Sequence, residues 1–184
     1  VLMMPHGRPW YEARIRELGY DALKDLLAYW VETDFVPPKV MQGLLRRYRD
    51  RLVVRPMRRD RLADELVILR GLFNDAWSGN WGFIPFTEAE FRELGQSLKF
   101  LVDDELVQIA ELDGEPAAFI VGLPNINEAA AGFDGALLPL NWWHLLRALR
   151  GGRIATGRVP LMGVRRQFQK STLGSALAFM VIGA

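Results

Sequence analysis

The sequence predicts an α+β fold with a mixed sheet, and three local patterns support this prediction. Thr87 and Glu90 form a capping box, in which each side chain satisfies an exposed backbone amide, so a helix should begin there. Asp113 and Gly114 separate two β-rich runs and suit a tight turn that needs positive φ, which indicates an antiparallel hairpin. A stripe at helical spacing predicts a second helix packed on a core, and its members are Leu62, Leu66, Leu69, Phe73 and Trp77.

The first sixty residues alternate between strand-like and helical patterns. Residues 1–4 and 22–30 favour strands, and a proline and a glycine bound a predicted helix over residues 9–18. After two prolines, residues 40–48 predict a basic amphipathic helix whose arginines should lie on a solvated face or a linker. A short strand is predicted at residues 52–57. Asp60 is the expected N-cap of the helix that carries the stripe.

Three further elements are predicted after the hairpin. Residues 139–150 indicate an amphipathic helix closed by glycine. Residues 158–164 indicate a strand in which Pro160 cannot donate a ladder hydrogen bond, so a bulge or an edge position is implied. Residues 173–184 indicate a last helix.

Composition excludes several classes of function. The 184 residues carry 23 Lys and Arg against 22 Asp and Glu, and a net charge of +1 makes no general case for binding nucleic acid. The absence of cysteine excludes disulfides and thiolate nucleophiles, and two histidines do not favour a metal centre, so we expect no metal. No apolar run approaches the roughly 20 residues of a membrane span. Without a signal-peptide pattern, we expect a cytoplasmic protein.

The last strand, turn and helix carry a motif that resembles that of a known superfamily. Residues 163–177 read Gly-Val-Arg-Arg-Gln-Phe-Gln-Lys-Ser-Thr-Leu-Gly-Ser-Ala-Leu. This run resembles motif A of the GNAT N-acetyltransferase superfamily, in which a strand enters a glycine-containing turn and a helix. Gln169 and Gly174 match the motif, whereas Thr172 stands where the first glycine is usual.

Other segments extend the resemblance to an uncharacterised bacterial type with two such units in tandem. They are residues 74–83, 111–116 and 123–127, together with parts of the first thirty residues. On this resemblance the chain is a fragment in three parts. Residues 1–35 would be the C-terminal remnant of a preceding unit, residues 36–51 a linker helix, and residues 52–184 the first half of a GNAT-like domain, incomplete at its C-terminus.

The resemblance implies acyl transfer from acetyl-CoA, as cosubstrate, to an unidentified amine. A helix N-terminus suits the CoA pyrophosphate because its unpaired amides and dipole favour anions. The implied CoA-binding residues are Met162, Val164, Gln169, Lys170, Ser171, Thr172, Leu173 and Gly174. No catalytic residue is assigned, since a tyrosine that protonates the departing thiolate would come from a later helix, and the chain alone is expected to be inactive. The alternative is a non-catalytic CoA-binding or structural half of a tandem protein.

Several side chains keep two interpretations. An acceptor site, or else core anchoring and turn formation, would explain Asn74, Trp77, Asn80 and Trp81. Trp142 and Trp143 either contact a membrane surface or an acyl chain, or pack an insertion. Glu111 either faces a cleft as a base or faces solvent. Open sheet edges would allow a homodimer.

Overall fold

The computed structural model describes residues 7–32, 36–98, 103–151 and 154–183. The chain divides into two compact units, Val1–Phe35 and Val36–Ala184. In the first unit, helix α1 spans Tyr11–Glu17, as predicted. The strand predicted at residues 22–30 is wrong, because these residues form no strand and all of them are exposed. The strand predicted at residues 1–4 lies outside the described residues.

The second unit contains both helices and a four-stranded sheet, which confirms an α+β fold. Most predicted elements are present within a few residues of their expected bounds. In chain order, the elements are α2 (Lys39–Tyr48), β1 (Leu52–Pro56), α3 (Leu62–Trp77), α4 (Glu88–Leu98), β2 (Val107–Leu112), β3 (Glu115–Pro124), α5 (Ile126–Ala130), α6 (Asn141–Arg150), β4 (Gly157–Val164) and α7 (Thr172–Ile182).

The start of α3 differs from the prediction. Asp60 lies inside a 3₁₀ turn, Arg59–Arg61, that precedes α3, and no side chain caps the start of either element. The turn supplies its own backbone hydrogen bond, from the Arg61 amide to the Arg58 carbonyl at 3.0 Å. Asp60 is therefore not an N-cap.

The four strands form one sheet in the order β1-β2-β3-β4. Every pair in it is antiparallel, so the predicted mixture of strand directions is wrong for the described residues. The reason is connectivity: each strand pairs with the next one along the chain and reverses direction. The β2–β3 turn is the predicted hairpin, with φ of 53° at Asp113 and 84° at Gly114.

Strand β4 lies on the edge of the sheet and contains the predicted bulge. Val121 pairs with Leu161, whereas Leu123 pairs with Arg158. Two residues of β4, including Pro160, therefore face a single residue of β3. This arrangement spares the proline from donating a ladder hydrogen bond.

Helices cover both faces of the sheet. On one face, α7 packs on β2 and β3 with α2 beside it, around a cluster that includes Ala118, Ile120 and Leu177. On the other face, α3 packs on β3 and β4, and the buried ring of Phe119 meets Phe73 edge-on at 6.5 Å. Successive residues of β3 thus serve opposite layers, as the alternation of side chains in a strand requires.

The capping box is present at the start of α4. The Glu90 carboxylate accepts hydrogen bonds from the amide and hydroxyl of Thr87, and the Thr87 hydroxyl accepts one from the Glu90 amide. Within the described ranges, no helix has the length and apolar character needed to cross a bilayer.

Candidate functional site

The last turn of α3 holds the connection between β4 and α7. The Arg166 amide donates to the Asp75 carboxylate at 2.8 Å. The Gln169 side-chain amide donates to the Ala76 carbonyl at 2.7 Å, which satisfies one of the carbonyls that a helix leaves unpaired at its end. Neither Asp75 nor Arg166 was singled out from the sequence, because the two residues lie 91 positions apart.

The backbone of β4 presents alternate residues to its open edge. The Arg165 amide donates to the Ala117 carbonyl of the neighbouring strand at 2.8 Å. In an antiparallel ladder, positions that exchange hydrogen bonds alternate with positions whose N–H and C=O point away. The backbone groups of Val164 and Met162 therefore point outward.

Both outward carbonyls already have donors. The Trp77 indole N–H donates to the Met162 carbonyl at 3.0 Å, and the Gln169 amide also donates to the Val164 carbonyl at 2.9 Å. The structure thus brings together Trp77, predicted on the acceptor side, and Met162, predicted on the CoA side. The N–H groups of Met162 and Val164, in contrast, have no acceptor among the residues that the structure describes.

The N-terminus of α7 is capped by the side chain of Ser171. The Ser171 hydroxyl accepts a hydrogen bond from the Gly174 amide at 3.1 Å. The Thr172 and Leu173 amides precede that bonded position and have no acceptor among the described residues. Lys170 and Thr172 are exposed beside them. This helix start can therefore offer two backbone donors and a cation to an anion.

Gly174 is fixed by packing within the turn. A Cβ added there would lie 2.0 Å from the Phe168 carbonyl oxygen and 2.7 Å from its carbon. No side chain fits that approach, so glycine is needed here whether or not a ligand binds.

The predicted acceptor residues on α3 have clear structural partners. The Asn74 side chain donates to the Phe86 carbonyl and accepts from the Phe86 amide, both at 2.9 Å. The Trp77 ring stacks on Phe73 at 5.4 Å. Both residues thus hold the loop between α3 and α4, or the helix itself, in place.

The other two predicted acceptor residues lie in that loop. Asn80 takes part in a turn, in which its carbonyl accepts from the Phe83 amide at 3.2 Å. The side chain of Trp81 is 67% exposed, so it is no core anchor.

Two cavities adjoin this region. A polar cleft of about 380 Å³ lies beside the connection between β4 and α7, and its lining includes Asp75, Glu115 and Arg165. A smaller pocket of about 70 Å³ lies between α3, α4 and the sheet, and reaches the bulge at Val121 and Leu161. Apart from Arg59 its lining is apolar, so it fits a short aliphatic segment and excludes an ion.

Glu111 belongs to an ionic cluster near β1, away from the β4 edge. Its carboxylate accepts from the Arg55 guanidinium at 2.7 Å, and the same guanidinium donates to the buried Glu65 at 2.8 Å. Burial opposes the charge of Glu65, but hydrogen bonds from Arg55 and Arg58 outweigh it and hold the Glu65 pKa below its ordinary value. Glu111 therefore faces a partner rather than an open cleft.

No group of three or more His, Cys, Asp or Glu that could hold a metal ion occurs among the residues that the structure describes.

Comparison with known proteins places the chain beside two bacterial relatives. No family model matches the sequence. The chain is 49% identical over 183 residues to Protein YghO of Escherichia coli (strain K12), covering 99% of this chain and 47% of that protein. It is 40% identical over 185 residues to the bacterial ceramide synthase of Caulobacter vibrioides (strain NA1000 / CB15N), covering 100% of this chain and 48% of that protein. The chain thus spans about half the length of the curated relatives it matches.

Among solved structures, an apo agmatine N-acetyltransferase mutant is similar at 19% identity and a TM-score of 0.37, over 72% of this chain and 69% of that one.

Proposed function

We propose that this chain is part of an acyl-CoA-dependent N-acyltransferase that joins an acyl group to an amine. The observation that carries the proposal is the 40% identity, along the whole chain, to a protein named bacterial ceramide synthase. A ceramide is the amide of a fatty acid with a long-chain amino alcohol, so its synthesis is an N-acylation. N-acylation is also the class of reaction catalysed by the superfamily whose motif residues 163–177 resemble.

The reaction is a direct acyl transfer. The amine nitrogen attacks the thioester carbonyl carbon, the C–N bond forms and the C–S bond breaks. The nitrogen loses a proton to a base, and the departing thiolate gains one. We assign neither proton transfer to a residue of this chain.

The β4 edge and the α7 N-terminus could share the CoA molecule. An extended pantetheine arm has amide carbonyls that can accept from the outward N–H groups of Met162 and Val164, as an added strand would. The pyrophosphate would then meet the Thr172 and Leu173 amides, with Lys170 alongside. Gly174 and Gln169 would support this site by shaping the turn.

The apolar pocket supports an aliphatic substrate. It reaches Leu161, which lies in β4 next to the predicted pantetheine position. A volume of about 70 Å³ admits a short stretch of chain and no more. The first methylene groups of a fatty acyl donor would be a suitable occupant.

A second candidate function is a structural half that does no chemistry. The observation that favours it is that the Trp77 indole and the Gln169 amide already occupy the outward carbonyls of Met162 and Val164. A pantetheine arm that needs those carbonyls would have to displace both donors. The two candidates predict different results in a binding experiment.

The test is thermal unfolding with and without CoA, because a ligand that binds only the folded state raises its stability. Thr172→Asp is the diagnostic variant: its carboxylate suits the α7 N-terminus and preserves folding, yet repels a pyrophosphate. Thr172→Gly is the matched control, since it removes the Cβ at the same position without adding charge. Substitution of Gly174 would be uninformative because it disrupts the turn itself.

A CoA-dependent rise in melting temperature that Thr172→Asp abolishes and Thr172→Gly retains would support the site. A chain that unfolds cooperatively with no CoA effect would contradict it. Turnover is measured as thiol release from palmitoyl-CoA with a long-chain amino alcohol, and the cysteine-free chain adds no thiol background. Binding without thiol release would favour the structural half.

A further inference from the structure

The charge of the chain is strongly divided despite the small net value. Residues 135–184 contain no Asp or Glu, and they carry seven cations: Arg147, Arg150, Arg153, Arg158, Arg165, Arg166 and Lys170. The preceding 134 residues hold the other 16 Lys and Arg and all 22 Asp and Glu. A charge of +7 on the last fifty residues therefore opposes −6 on the rest. A single net charge of +1 hides this asymmetry.

The acid-free part begins with an exposed apolar segment in the connection between β3 and β4. Five large apolar side chains occur within seven residues, and each is at least 45% exposed: Leu137 (52%), Leu138 (73%), Leu140 (66%), Trp142 (45%) and Trp143 (55%). Helix α6 contains no buried residue. The two indoles meet edge-on at 5.6 Å, so they present one aromatic surface. This segment is therefore not a packed insertion.

Two arginines continue that surface along α6. Trp143, Arg147 and Arg150 follow at helical spacing and lie on one face of the helix, and all three are exposed. Neither arginine pairs with an acidic side chain of the described residues. We call the exposed side chains of residues 137–143, together with Arg147 and Arg150, the α6 face.

Two acidic groups lie near α6 without pairing with its arginines. Glu128, on the neighbouring α5, accepts hydrogen bonds from the Ala155 and Thr156 amides at 2.9 and 3.0 Å. Hydrogen bonds from Thr156 and Ala155, against the effect of burial, keep the Glu128 pKa below its ordinary value. Asp134 is exposed at the start of the segment. Neither carboxylate forms an ion pair with Arg147 or Arg150, so both guanidinium groups remain available to an anionic partner.

We propose that the α6 face docks the protein on the surface of an anionic phospholipid bilayer. Leu and Trp side chains partition into the boundary between headgroups and acyl chains, where an indole has both an apolar and a polar neighbour. Arginines beside them pair with lipid phosphates, and the α6 face itself contributes no carboxylate that the leaflet would repel. The positive charge of the arginines requires an anionic partner. Because leucines and tryptophans dominate the contact, that partner is better matched by anionic lipid than by an acidic protein.

The length of α6 suits a helix that lies on the membrane surface and does not span the bilayer. The ten residues of α6 span about 15 Å, half of a bilayer core, so the helix would rest in the interfacial plane. This surface is independent of the proposed acyl transfer. If both proposals hold, the protein would work where a long-chain amine resides.

The experiment is cosedimentation of the 184-residue chain with vesicles of phosphatidylcholine containing one third phosphatidylglycerol, and with pure phosphatidylcholine. We expect binding to the anionic vesicles and at least tenfold weaker binding to the neutral ones. The variant Arg147→Gln/Arg150→Gln should lower the partition coefficient on anionic vesicles by at least about tenfold. Its control is Arg46→Gln/Arg47→Gln, which removes the same charge from exposed positions on α2.

A second readout reports insertion. Brominated lipids quench tryptophan emission on contact, so Trp142→Phe/Trp143→Phe should remove most of the quenching, whereas Trp81→Phe, at another exposed indole, should not. Absence of binding to anionic vesicles would overturn the proposal, as would equal losses from both arginine pairs. Concentration-dependent self-association that requires Trp142 and Trp143, without vesicle binding, would also overturn it and assign the face to a second copy of the chain. Unchanged melting temperatures verify that the variants fold.

Discussion

Replacing Glu65 by Gln tests the buried ionic cluster, because it removes a charge and keeps the shape of the side chain. The carboxylate is 1% exposed. It accepts hydrogen bonds from Arg55 at 2.8 Å and from Arg58 at 3.0 Å. The Arg55 side chain is itself only 16% exposed. The variant would therefore leave a largely desolvated guanidinium without one of its two carboxylates.

The magnitude follows from these exposures. A hydrogen bond to a charged group contributes about 1.5–3 kcal/mol, and breaking a buried ion pair costs about 3–5 kcal/mol. Arg58 is 45% exposed, so water screens its share, while Glu111 continues to pair with Arg55. We expect Glu65→Gln to lower the free energy of unfolding by about 3 kcal/mol, and the melting temperature by roughly 6–12 °C.

The assay is urea unfolding followed by circular dichroism at neutral pH. The matched control is Asp64→Asn on the same helix, whose ion pair with Arg61 is 2.9 Å long but more than half exposed. Such surface pairs contribute about 0–1 kcal/mol. The reasoning is refuted if Glu65→Gln shifts the urea midpoint no more than the control does.

The pH dependence gives an independent check. Because the Glu65 pKa is lowered in the folded state, its stabilising contribution is complete above the unfolded value of 4.5. The contribution is lost as the pH falls through the lower folded value. The stability difference between the wild type and Glu65→Gln should therefore shrink as the pH is lowered below 4.5, and a difference independent of pH would count against an ionic origin.

Two further variants test the contacts that hold the β4–α7 connection in place. Trp77→Phe keeps an aromatic ring but loses the hydrogen bond to the Met162 carbonyl, and should lower stability by about 1 kcal/mol in urea unfolding; an unchanged midpoint would argue against that bond. Gly174→Ala forces the turn away from the Phe168 carbonyl and should cost about 3 kcal/mol. The control Gly71→Ala, on α3 with open space around it, should instead stabilise by about 0.5–1 kcal/mol, and a similar effect of both would contradict the packing argument.

Helix starts and tight turns could be predicted from the sequence because they depend on residues that are neighbours in the chain. The capping box at Thr87 and the hairpin turn at Asp113 each need only a few adjacent residues. Residues 22–30 show the limit of local propensity. They favour extended structure, but a strand also needs a partner for its backbone groups, which the described residues do not supply.

The candidate site was predictable in position but not in detail. The turn at residues 169–174 could be located from the motif it resembles. The bond between Trp77 and Met162 joins residues 85 positions apart and has no local signature. Glu65 did leave a signal, since it follows Leu62 by three positions on the apolar side of α3, and four of the ten residues before it are arginines.

The contacts along β4 also bear on how the protein avoids aggregation. An exposed edge strand presents unpaired N–H and C=O groups, and a strand of another chain can pair with both sets. Unpaired carbonyls therefore supply half of the hydrogen bonds that such a pairing needs. Here the indole of Trp77 and the amide of Gln169 donate to the outward carbonyls of Met162 and Val164, and a bulge that includes Pro160 interrupts the strand. A foreign strand would find neither a continuous row of acceptors nor a regular register. The side chains that shape the candidate site thus also make β4 a poor seed for fibrils.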